Sequence, residues 1–325
     1  LALGGLEMLL DIHADIFSDI FSKSLKGETN IVRNYHLNKF KDGGINGGIF
    51  VFWQDPDLIK HYDYNGLKLM MEYANKEKEL SKDFLSIAKN YDEFVQGLEG
   101  NKITAMMHLE GAKSLENNLD KVREIYDYGI RTASLTWNEE NELASGAGVD
   151  NNVGLKDKGK DFIKECEDAG IIIDVSHAND KSFYDIYNVS TKPIIATHSN
   201  ARELCNVKRN LTNEQIKLIK ETGGIIGING YIGFIHDDED KKDLSHLVNH
   251  IDHIVDLIGI DSVCFGFDYC DYLSLDDGEC TRNLENASKS QNIIKELKDK
   301  GYKNEHIEKI AYKNFLRFIK KKLYK

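Results

Sequence analysis

The stretch Leu9-Leu10-Asp11-Ile12-His13-Ala14-Asp15 is a short apolar run that ends in two polar residues, two positions apart. Its length and composition predict a buried β-strand. Side chains at positions i and i+2 of a strand point to the same face, so His13 and Asp15 would project together from the strand's end. A nitrogen and a carboxylate placed side by side form half of a metal site. One His-x-Asp alone is more often only the polar end of a buried strand, so this interpretation needs partners elsewhere in the chain.

Seven further apolar runs follow the first, at residues 43–53, 103–109, 130–135, 171–175, 193–197, 224–228 and 262–268. They alternate with amphipathic stretches, a pattern that predicts a parallel sheet with helical crossovers. Eight is the number of strands that closes a (β/α)8 TIM-type barrel. No repeat, low-complexity segment or linker divides the chain, so we expect residues 1–325 to form a single α/β barrel domain with short extra helices and loops. The first seven residues, ahead of Met8, could be a cloning remnant.

The stretches between the runs predict the barrel's helices. Helical patterns cover residues 57–90, 115–125, 162–169, 244–258, 287–300 and 304–321. Thr212 can cap another helix, with Gln215 at the third helical position. The glycine-rich residues 143–154 predict a loop.

Composition narrows the class of protein. Hydrophobic residues make up 41% and charged residues 30%, which is typical of a soluble globular chain. The net charge of −12 argues against a nucleic-acid partner, because binding phosphates requires a basic face. The five cysteines are odd in number and show no C-x-x-C spacing, which indicates reduced thiols in the cytoplasm. No apolar run is long enough to cross a bilayer, so we expect a cytoplasmic protein without a membrane partner.

Active sites of such barrels lie at the carboxyl ends of the strands. Besides His13 and Asp15, the polar residues at predicted strand ends are Glu110, His177, His198 and Asp268. Six nitrogen and oxygen ligands at one end of a barrel are difficult to explain as core packing. They are the ligand types expected for zinc or a similar divalent ion, and there are enough of them for two ions bridged by a carboxylate.

The chain resembles the membrane dipeptidases, also called renal dipeptidases, of the amidohydrolase superfamily. The resemblance covers nearly the whole chain, and several ordered motifs at matching separations carry it. These motifs are His13-Ala-Asp15, Leu109-Glu110-Gly111, Leu135-Thr136-Trp137-Asn138, Asp174-Val175-Ser176-His177, Pro193 to Arg202 with its central His198, Arg209-Asn210-Leu211-Thr212, Gly266-Phe267-Asp268-Tyr269 and Asn314-Phe315-Leu316.

The resemblance implies two zinc ions that share one bridging ligand, Glu110. The other ligands would be His13 and Asp15 for one ion, and His177 and His198 for the second. A hydroxide between the ions would be the nucleophile. Asp268 would take its proton and deliver it to the leaving amine, so Asp268 and Glu110 would be the catalytic residues. Arg209 would pair with the substrate's terminal carboxylate.

One position departs from the family pattern. Members often have a histidine that contacts the substrate at the third position of the Leu-Thr-His-Asn motif, where this chain has Trp137. Tryptophan donates one N–H and cannot titrate, so the change affects the expected substrate pocket but not the metal site. Trp137 and Asn138 are the expected substrate-binding residues of this loop. Which of the polar residues 138–141 takes the place of the histidine, if any, stays open.

Other polar features have simpler structural explanations. His246, His250 and His253 lie at helical spacing away from the expected rim, which favours a structural or solvated role. The acidic residues 237–240 lack the spacing of a calcium loop and predict a solvated loop. His108 precedes the end of its strand by one residue, so we expect it to face away from the metal ligands and to serve in packing or support.

The sequence therefore favours a zinc-dependent dipeptidase that could form a homodimer. A related alternative is a binuclear amidohydrolase that acts on N-acyl amino acids or cyclic amides. A second alternative, from another class, is a metal-binding protein that has lost turnover through the change at Trp137. Asp268 argues against the second alternative, because a protein that only binds does not need a proton shuttle.

Overall fold

The computed structural model describes residues 7–58, 63–273 and 280–323. Within these ranges the chain forms nine strands: β1 (Leu9–Ala14), β2 (Ile45–Trp53), β3 (Leu85–Ile87), β4 (Ile103–Glu110), β5 (Ile130–Ser134), β6 (Ile172–Asp174), β7 (Ile194–Ile195), β8 (Ile226–Ile228) and β9 (Val263–Phe265). Each of the eight apolar runs in the sequence contributes one of them, which confirms the predicted strands.

Eight of the strands form a ring in the order β7-β6-β5-β4-β2-β1-β9-β8, and every pair of neighbours is parallel. The ring closes through a parallel bridge between Ala196, just after β7, and Ile226 of β8. Two hydrogen bonds make this bridge, from the Ala196 amide to the Ile225 carbonyl at 3.0 Å and from the Gly227 amide to the Ala196 carbonyl at 2.8 Å. This closed parallel ring is the predicted (β/α)8 barrel.

Helices connect the strands and cover the outside of the barrel. They are α1 (Ile16–Leu25), α2 (Leu37–Gly43), α3 (Tyr64–Leu80), α4 (Tyr91–Glu99), α5 (Val122–Tyr128), α6 (Asp157–Ala169), α7 (Asp180–Val189), α8 (Asn213–Thr222), α9 (Leu244–Ile258), α10 (Gln291–Asp299), α11 (Asn304–Glu308) and α12 (Asn314–Lys322). One turn of π-helix, Lys309–Lys313, joins α11 to α12. The predicted capping box at the start of α8 is present, with Thr212 and Gln215 each bonded to the other's backbone amide.

The helical prediction for residues 57–90 is wrong at its end. Helix α3 stops at Leu80, and β3 then pairs with the first residues of β4, Leu85 opposite Ile103. Strand β5 joins β4 only from Met107 onward, so the start of β4 would otherwise leave its backbone groups unpaired on that side. Strand β3 supplies the missing partner. Residues 59–62 of this prediction lie outside the described residues.

The helix predicted over residues 115–125 is also broken. Two short 3₁₀ turns, Ala112–Leu115 and Leu119–Lys121, precede α5. Asn118 has φ −142° and ψ 49°, which are not helical angles, and its amide instead closes a turn onto the carbonyl of Leu115. The apolar spacing in the sequence identified the buried face correctly but not the interruption.

Two hydrophobic clusters form the core. The larger lies between the strands and the outer helices. The smaller joins residues from β1, β2, β4, β6, β7 and β9 to α12, namely Leu10, Ile12, Ile49, Met106, Ile172, Ile195, Cys264, Phe315 and Phe318. Residues from six strands of a ring can meet only inside it, so α12 closes the amino-terminal end of the barrel. The carboxyl end is left for the site.

Of the suggested remnant at residues 1–7, only Glu7 is described, and its amide donates to the side chain of Gln291 at 3.1 Å. All five cysteines are buried and unpaired. None of the described helices is both long and apolar enough to cross a membrane.

Candidate metal centre

Barrel closure brings together the six polar residues that follow the strands. The imidazole of His13, at the end of β1, is fully buried beside three carboxylates. Its Nε2 atom lies 3.9 Å from Asp15, 3.7 Å from Glu110 and 3.9 Å from Asp268. These residues come from β1, β4 and the segment after β9, so the predicted convergence at the carboxyl end is confirmed for them.

Glu110 lies at the centre of the group. Its Oε1 atom is 2.7 Å from Nε2 of His177 and 3.5 Å from Nε2 of His198. The Nε2 atoms of these two histidines are 2.9 Å apart, and the rings of His13 and His198 have centroids separated by 3.6 Å. Three imidazoles therefore direct their Nε2 atoms towards one carboxylate, which is the arrangement that a bridging ligand requires.

The donor atoms themselves form a set that suits a cation. Nε2 of His13 and Oε1 of Glu110 are buried, and neither forms a hydrogen bond of acceptable geometry in the described part of the chain, although Nε2 of His177 approaches Oε1 to 2.7 Å. Ligand atoms of His13, Glu110 and His198 lie within 4.8 Å of one another, as do those of His13, Asp15 and Asp268. Leaving such polar atoms buried and unpaired is costly, so a divalent ion fits this donor set.

Electrostatics point the same way. Burial lowers the pKa of His13, His177 and His198 well below the usual value, so their imidazoles are neutral with a lone pair available to a ligand. Burial, together with the neighbouring carboxylates, raises the pKa of Asp15 and Glu110 well above the usual range. The three neutral imidazoles add no positive charge to offset the crowded carboxylates, and bound cations would supply it.

Two of these residues have backbone angles that L-amino acids rarely adopt. His177 has φ +71° and Asp268 has φ +56°. Strained residues of this kind persist only where the surrounding structure enforces them, and they are concentrated at functional sites. The amide of Asp268 donates to the carbonyl of His13 at 3.2 Å, and its Oδ2 atom accepts a hydrogen bond of 3.1 Å from Asn229. Burial raises the pKa of Asp268 to about 6, whereas the nearby Arg209 lowers it.

A cavity of about 550 Å³ opens over the cluster. One part of its wall is polar and contains Asp15, Glu110, Asp268, Arg209 and the imidazole of His177. The remainder is largely apolar or aromatic and contains Trp53, Trp137, Asn138, Ala147, Gly148, Tyr231, Phe234, Cys270 and Leu273. The predicted substrate-binding residues Arg209, Trp137 and Asn138 therefore line the same cavity as the metal-type ligands.

Arg209 is a partly buried cation without a carboxylate partner. No ion pair joins it to an acidic side chain in residues 7–58, 63–273 or 280–323, and its Nε atom has no hydrogen-bond partner there. Its contacts are a hydrogen bond of 3.5 Å to the carbonyl of His198 and the ring of Phe234, 5.4 Å from the guanidinium carbon. Burial lowers the pKa of Arg209, and Asp268 and Glu110 oppose that shift. The guanidinium fork is thus free to take an anion in the cavity.

The loop after β5 positions Trp137 and Asn138. It folds back on itself, and a Cβ atom at Gly146 would lie 2.1 Å from the carbonyl oxygen of Trp137, so only glycine permits this approach. The Trp137 ring lies 5.3 Å from the ring of Trp53 and 6.0 Å from that of His177. Asn138 contacts His177 directly, its Oδ1 atom lying 2.9 Å from Nδ1.

The other polar residues of this loop are occupied elsewhere. Asn141 is buried and bonds to the backbone of Leu135, Leu143 and Ala144. Glu140 pairs with Lys156 at 2.8 Å, and Glu139 accepts a hydrogen bond from Asn141. The structure describes all five residues at positions 137–141, and of these only Trp137 and Asn138 line the cavity.

The expected orientation of His108 is wrong. It is fully buried inside the barrel, with its ring centroid 5.8 Å from that of His13 and its Nε2 atom 3.5 Å from Asp174. His108 and Glu110 are two residues apart on β4, so they share a face, and His108 lies below Glu110 instead of outside the ring.

The remaining predictions about polar features agree with the structure. His250 is buried on α9, where it accepts from the Ala201 amide and donates to the Ile235 carbonyl. His246 and His253 bond to Asp243 and Asn213. Residues 237–240 are exposed. None of these residues lines the cavity over the metal cluster.

The family model for the membrane dipeptidases, peptidase family M19, matches residues 6–324. The chain belongs to the membrane dipeptidase family. It is 33% identical over 230 residues to an uncharacterized protein in the pqqA 5′ region of Klebsiella pneumoniae, covering 68% of this chain and 83% of that protein. It is 26% identical to dipeptidase tcpJ of Claviceps purpurea over 268 residues, 81% of this chain and 61% of that dipeptidase.

Solved structures of related proteins share the fold. A metallopeptidase from Rhodobacter sphaeroides, solved with a phosphinate mimic of the dipeptide L-Ala-D-Ala, superposes with a TM-score of 0.84 at 20% identity, covering 98% of this chain and 99% of that one. The probable dipeptidase PvdM from Pseudomonas aeruginosa gives 0.77 at 22% identity, covering 86% of each chain. At these identities the likeness shows the shared barrel fold.

The cavity of this membrane dipeptidase family member also contains residues that the sequence analysis missed. Trp53 ends β2 and Tyr231 follows β8, and both line the cavity. Asn229, which also follows β8, does not line it but donates to Oδ2 of Asp268. Collecting polar and aromatic residues at every strand end, instead of only at five of the eight, would have found them. Phe234 lies in a 3₁₀ turn further along, and no sequence signal marks it.

Proposed function

We propose that this member of the family is a binuclear zinc dipeptidase that hydrolyses the amide bond of small dipeptides. The observation that carries the proposal is the unpaired guanidinium of Arg209 in the same cavity as the buried ligand cluster around Glu110. A guanidinium without a carboxylate partner in the described residues, beside a cluster of metal-ligating side chains, suits a substrate that has a carboxylate near the bond to be cleaved. The phosphinate dipeptide mimic held by the related Rhodobacter metallopeptidase makes short dipeptides the first substrates to test.

Five residues would hold the ions. One ion would bind His13, Asp15 and Glu110, and the other would bind Glu110, His177 and His198. When bound, such ions make a water nucleophilic at neutral pH and polarise a carbonyl. Support comes from the convergence of the three Nε2 atoms on Glu110 and from the unsatisfied atoms of His13 and Glu110.

The protein's own groups would do the remaining work. Arg209 binds the substrate carboxylate in a bidentate pair and so fixes the distance from that end of the dipeptide to the cluster. Asp268 receives a proton at its carboxylate and returns it to the leaving amine, while Asn229 holds its Oδ2 atom. The aromatic rings of Trp53, Trp137 and Phe234 line the cavity and exclude water from part of it.

Metal analysis tests the centre. We expect close to two equivalents of zinc per chain after loading and dialysis, and we expect Glu110→Ala to lose both metal and activity. Glu116→Ala is the matched control, since Glu116 accepts from the Glu142 amide and does not line the cavity. A wild-type protein that holds at most one ion under saturating zinc contradicts the binuclear centre.

A substrate panel tests the reaction. The zinc-loaded protein should hydrolyse free dipeptides, and dipeptide amides should be poor substrates because they lack the carboxylate. Hydrolysis of N-acyl amino acids or cyclic amides instead would favour the broader amidohydrolase alternative. Metal binding without turnover on any member of the panel would favour a binding protein. Cytoplasmic location and a homodimer stay predictions.

A further inference from the structure

Thr197 lies two residues after the end of β7, next to His198, and is completely buried. Its Oγ1 atom is 2.5 Å from Oδ2 of Asp174, 3.0 Å from Nδ1 of His13 and 2.9 Å from Nδ1 of His198. One hydroxyl thus contacts two imidazoles that the proposed function assigns to different metal ions.

The direction of these hydrogen bonds follows from the chemistry of the groups. An ionised carboxylate only accepts, so the single hydroxyl proton of Thr197 goes to Asp174. The two lone pairs of Oγ1 are then left to accept Nδ1–H from His13 and from His198. Both histidines are thereby held as the tautomer whose Nε2 atom is unprotonated, and both Nε2 atoms face Glu110.

Asp174 is itself fixed, so the hydroxyl has a rigid anchor. Its Oδ1 atom accepts from the Ser176 amide at 2.9 Å and from the Thr197 amide at 3.1 Å, and the side chain is buried at the end of β6. The third proposed histidine ligand, His177, has a separate support, since its Nδ1 atom bonds to Asn138. Thr197 thus supports both His13 and His198, whereas Asn138 supports His177 separately.

We propose that the Thr197 hydroxyl, anchored by Asp174, is a positioning group shared by both metal sites, orienting one histidine ligand of each. The inference rests on the proposed function, because it takes the ligand assignment from there. Partners on the far nitrogen of a metal-binding imidazole set its tautomer and orientation, and losing such a partner typically lowers metal affinity by about 10- to 100-fold. Here a single group acts on two ions.

The experiment compares Thr197→Val with Thr197→Ser. Valine keeps the shape and removes the hydroxyl, whereas serine keeps the hydroxyl and removes the methyl group. Thr132→Val is the matched control, because it deletes another buried threonine hydroxyl, 2.8 Å from Nδ1 of His108, a histidine that is not an assigned ligand. Folding of each metal-free variant is checked by circular dichroism and thermal unfolding.

The readout is stepwise metal binding, measured by competition with a chromogenic zinc chelator and by the visible absorption spectrum of the cobalt-loaded protein. We expect Thr197→Val to weaken both binding steps by about 10- to 100-fold, and Thr197→Ser and Thr132→Val to stay within about threefold of the wild type. Asn138→Ala, which affects only the support of His177, should weaken one step and leave the other.

The outcomes separate this inference from the function on which it rests. If the wild type binds two ions and Thr197→Val binds them with unchanged affinities, the shared positioning role is refuted while the binuclear centre stands. A loss in Thr197→Ser as large as in Thr197→Val would show that the hydroxyl does not preserve metal binding and would also refute the proposal. If the wild type itself binds fewer than two ions, the proposed function fails first.

Discussion

The substrate class depends on Arg209, so its replacement is the most informative perturbation. Arg209→Met keeps much of the side chain's length and apolar contact with Phe234 but removes the charge and the fork. Arg209→Lys keeps the charge and loses the two parallel donors. Lys208→Met is the matched control, since it removes the same charge from the neighbouring, exposed position.

The structure gives a scale for the effect. Arg209 has no carboxylate partner of its own in the described residues, so a bound substrate carboxylate would be its principal ion pair, formed in a partly closed cavity. Truncating one partner of a buried charge pair costs about 2–5 kcal/mol, and the partial exposure of Arg209 places it at the lower end. A loss of about 2–3 kcal/mol corresponds to a fall of roughly 30- to 150-fold in kcat/KM.

The assay is steady-state hydrolysis of a free dipeptide and of its amide by zinc-loaded protein. For the free dipeptide, we expect Arg209→Met to act mainly by raising KM, Arg209→Lys to lie between it and the wild type, and Lys208→Met to match the wild type. All four proteins should be equally poor on the amide. If the wild type cleaves both substrates alike and Arg209→Met changes neither rate, the carboxylate-binding role and the dipeptidase proposal are wrong together.

Two further predictions concern proton transfer and stability. Asp268→Asn should lower kcat by roughly 100-fold or more with little change in zinc content. Asp271→Asn is the control and should leave kcat unchanged, because it alters a nearby ion pair with Lys39 outside the cavity. Near-normal turnover of Asp268→Asn would reject the proton-shuttle role. Burial lowers the pKa of His250 to about 4, below its ordinary value of 6.5, so the unfolded chain takes up this proton first as the pH falls. Between pH 6.5 and pH 4, the unfolding free energy of the wild type should therefore fall by up to roughly 3 kcal/mol more than that of His250→Gln. Urea denaturation at several pH values measures both. An equal dependence of the unfolding free energy on pH in the two proteins would contradict the prediction.

The sequence alone determined the barrel and the positions of its predicted metal ligands. Eight apolar runs that alternate with helical stretches are compatible with few folds other than a closed parallel barrel. Apolar strands are buried on both faces, so both faces of the sheet must pack against other parts of the protein. Once the ring closes, residues at the strand ends must meet. His13, Glu110, His177 and Asp268 could therefore be placed near one another without knowledge of any loop.

The tertiary structure alone decided what surrounds those ligands. The start of β4 pairs with the short strand β3 because β5 joins β4 only further along. The register between β4 and β5 cannot be predicted from any local sequence pattern. Likewise, His108 lies inside the barrel because it is two residues before Glu110 on β4 and so shares its face. That relation becomes certain only when the last residue of the strand is known.

The supports of the histidines are long-range contacts as well. Thr197 and His13 are 184 residues apart, and Asn138 and His177 are 39 apart. Similarly, Arg209 reaches the cavity from an irregular segment whose course is fixed by its neighbours, not by a repeating backbone pattern. Periodicity in a sequence encodes which face of a strand or helix is buried, whereas hydrogen-bond partners between distant loops are set only when the whole barrel has closed.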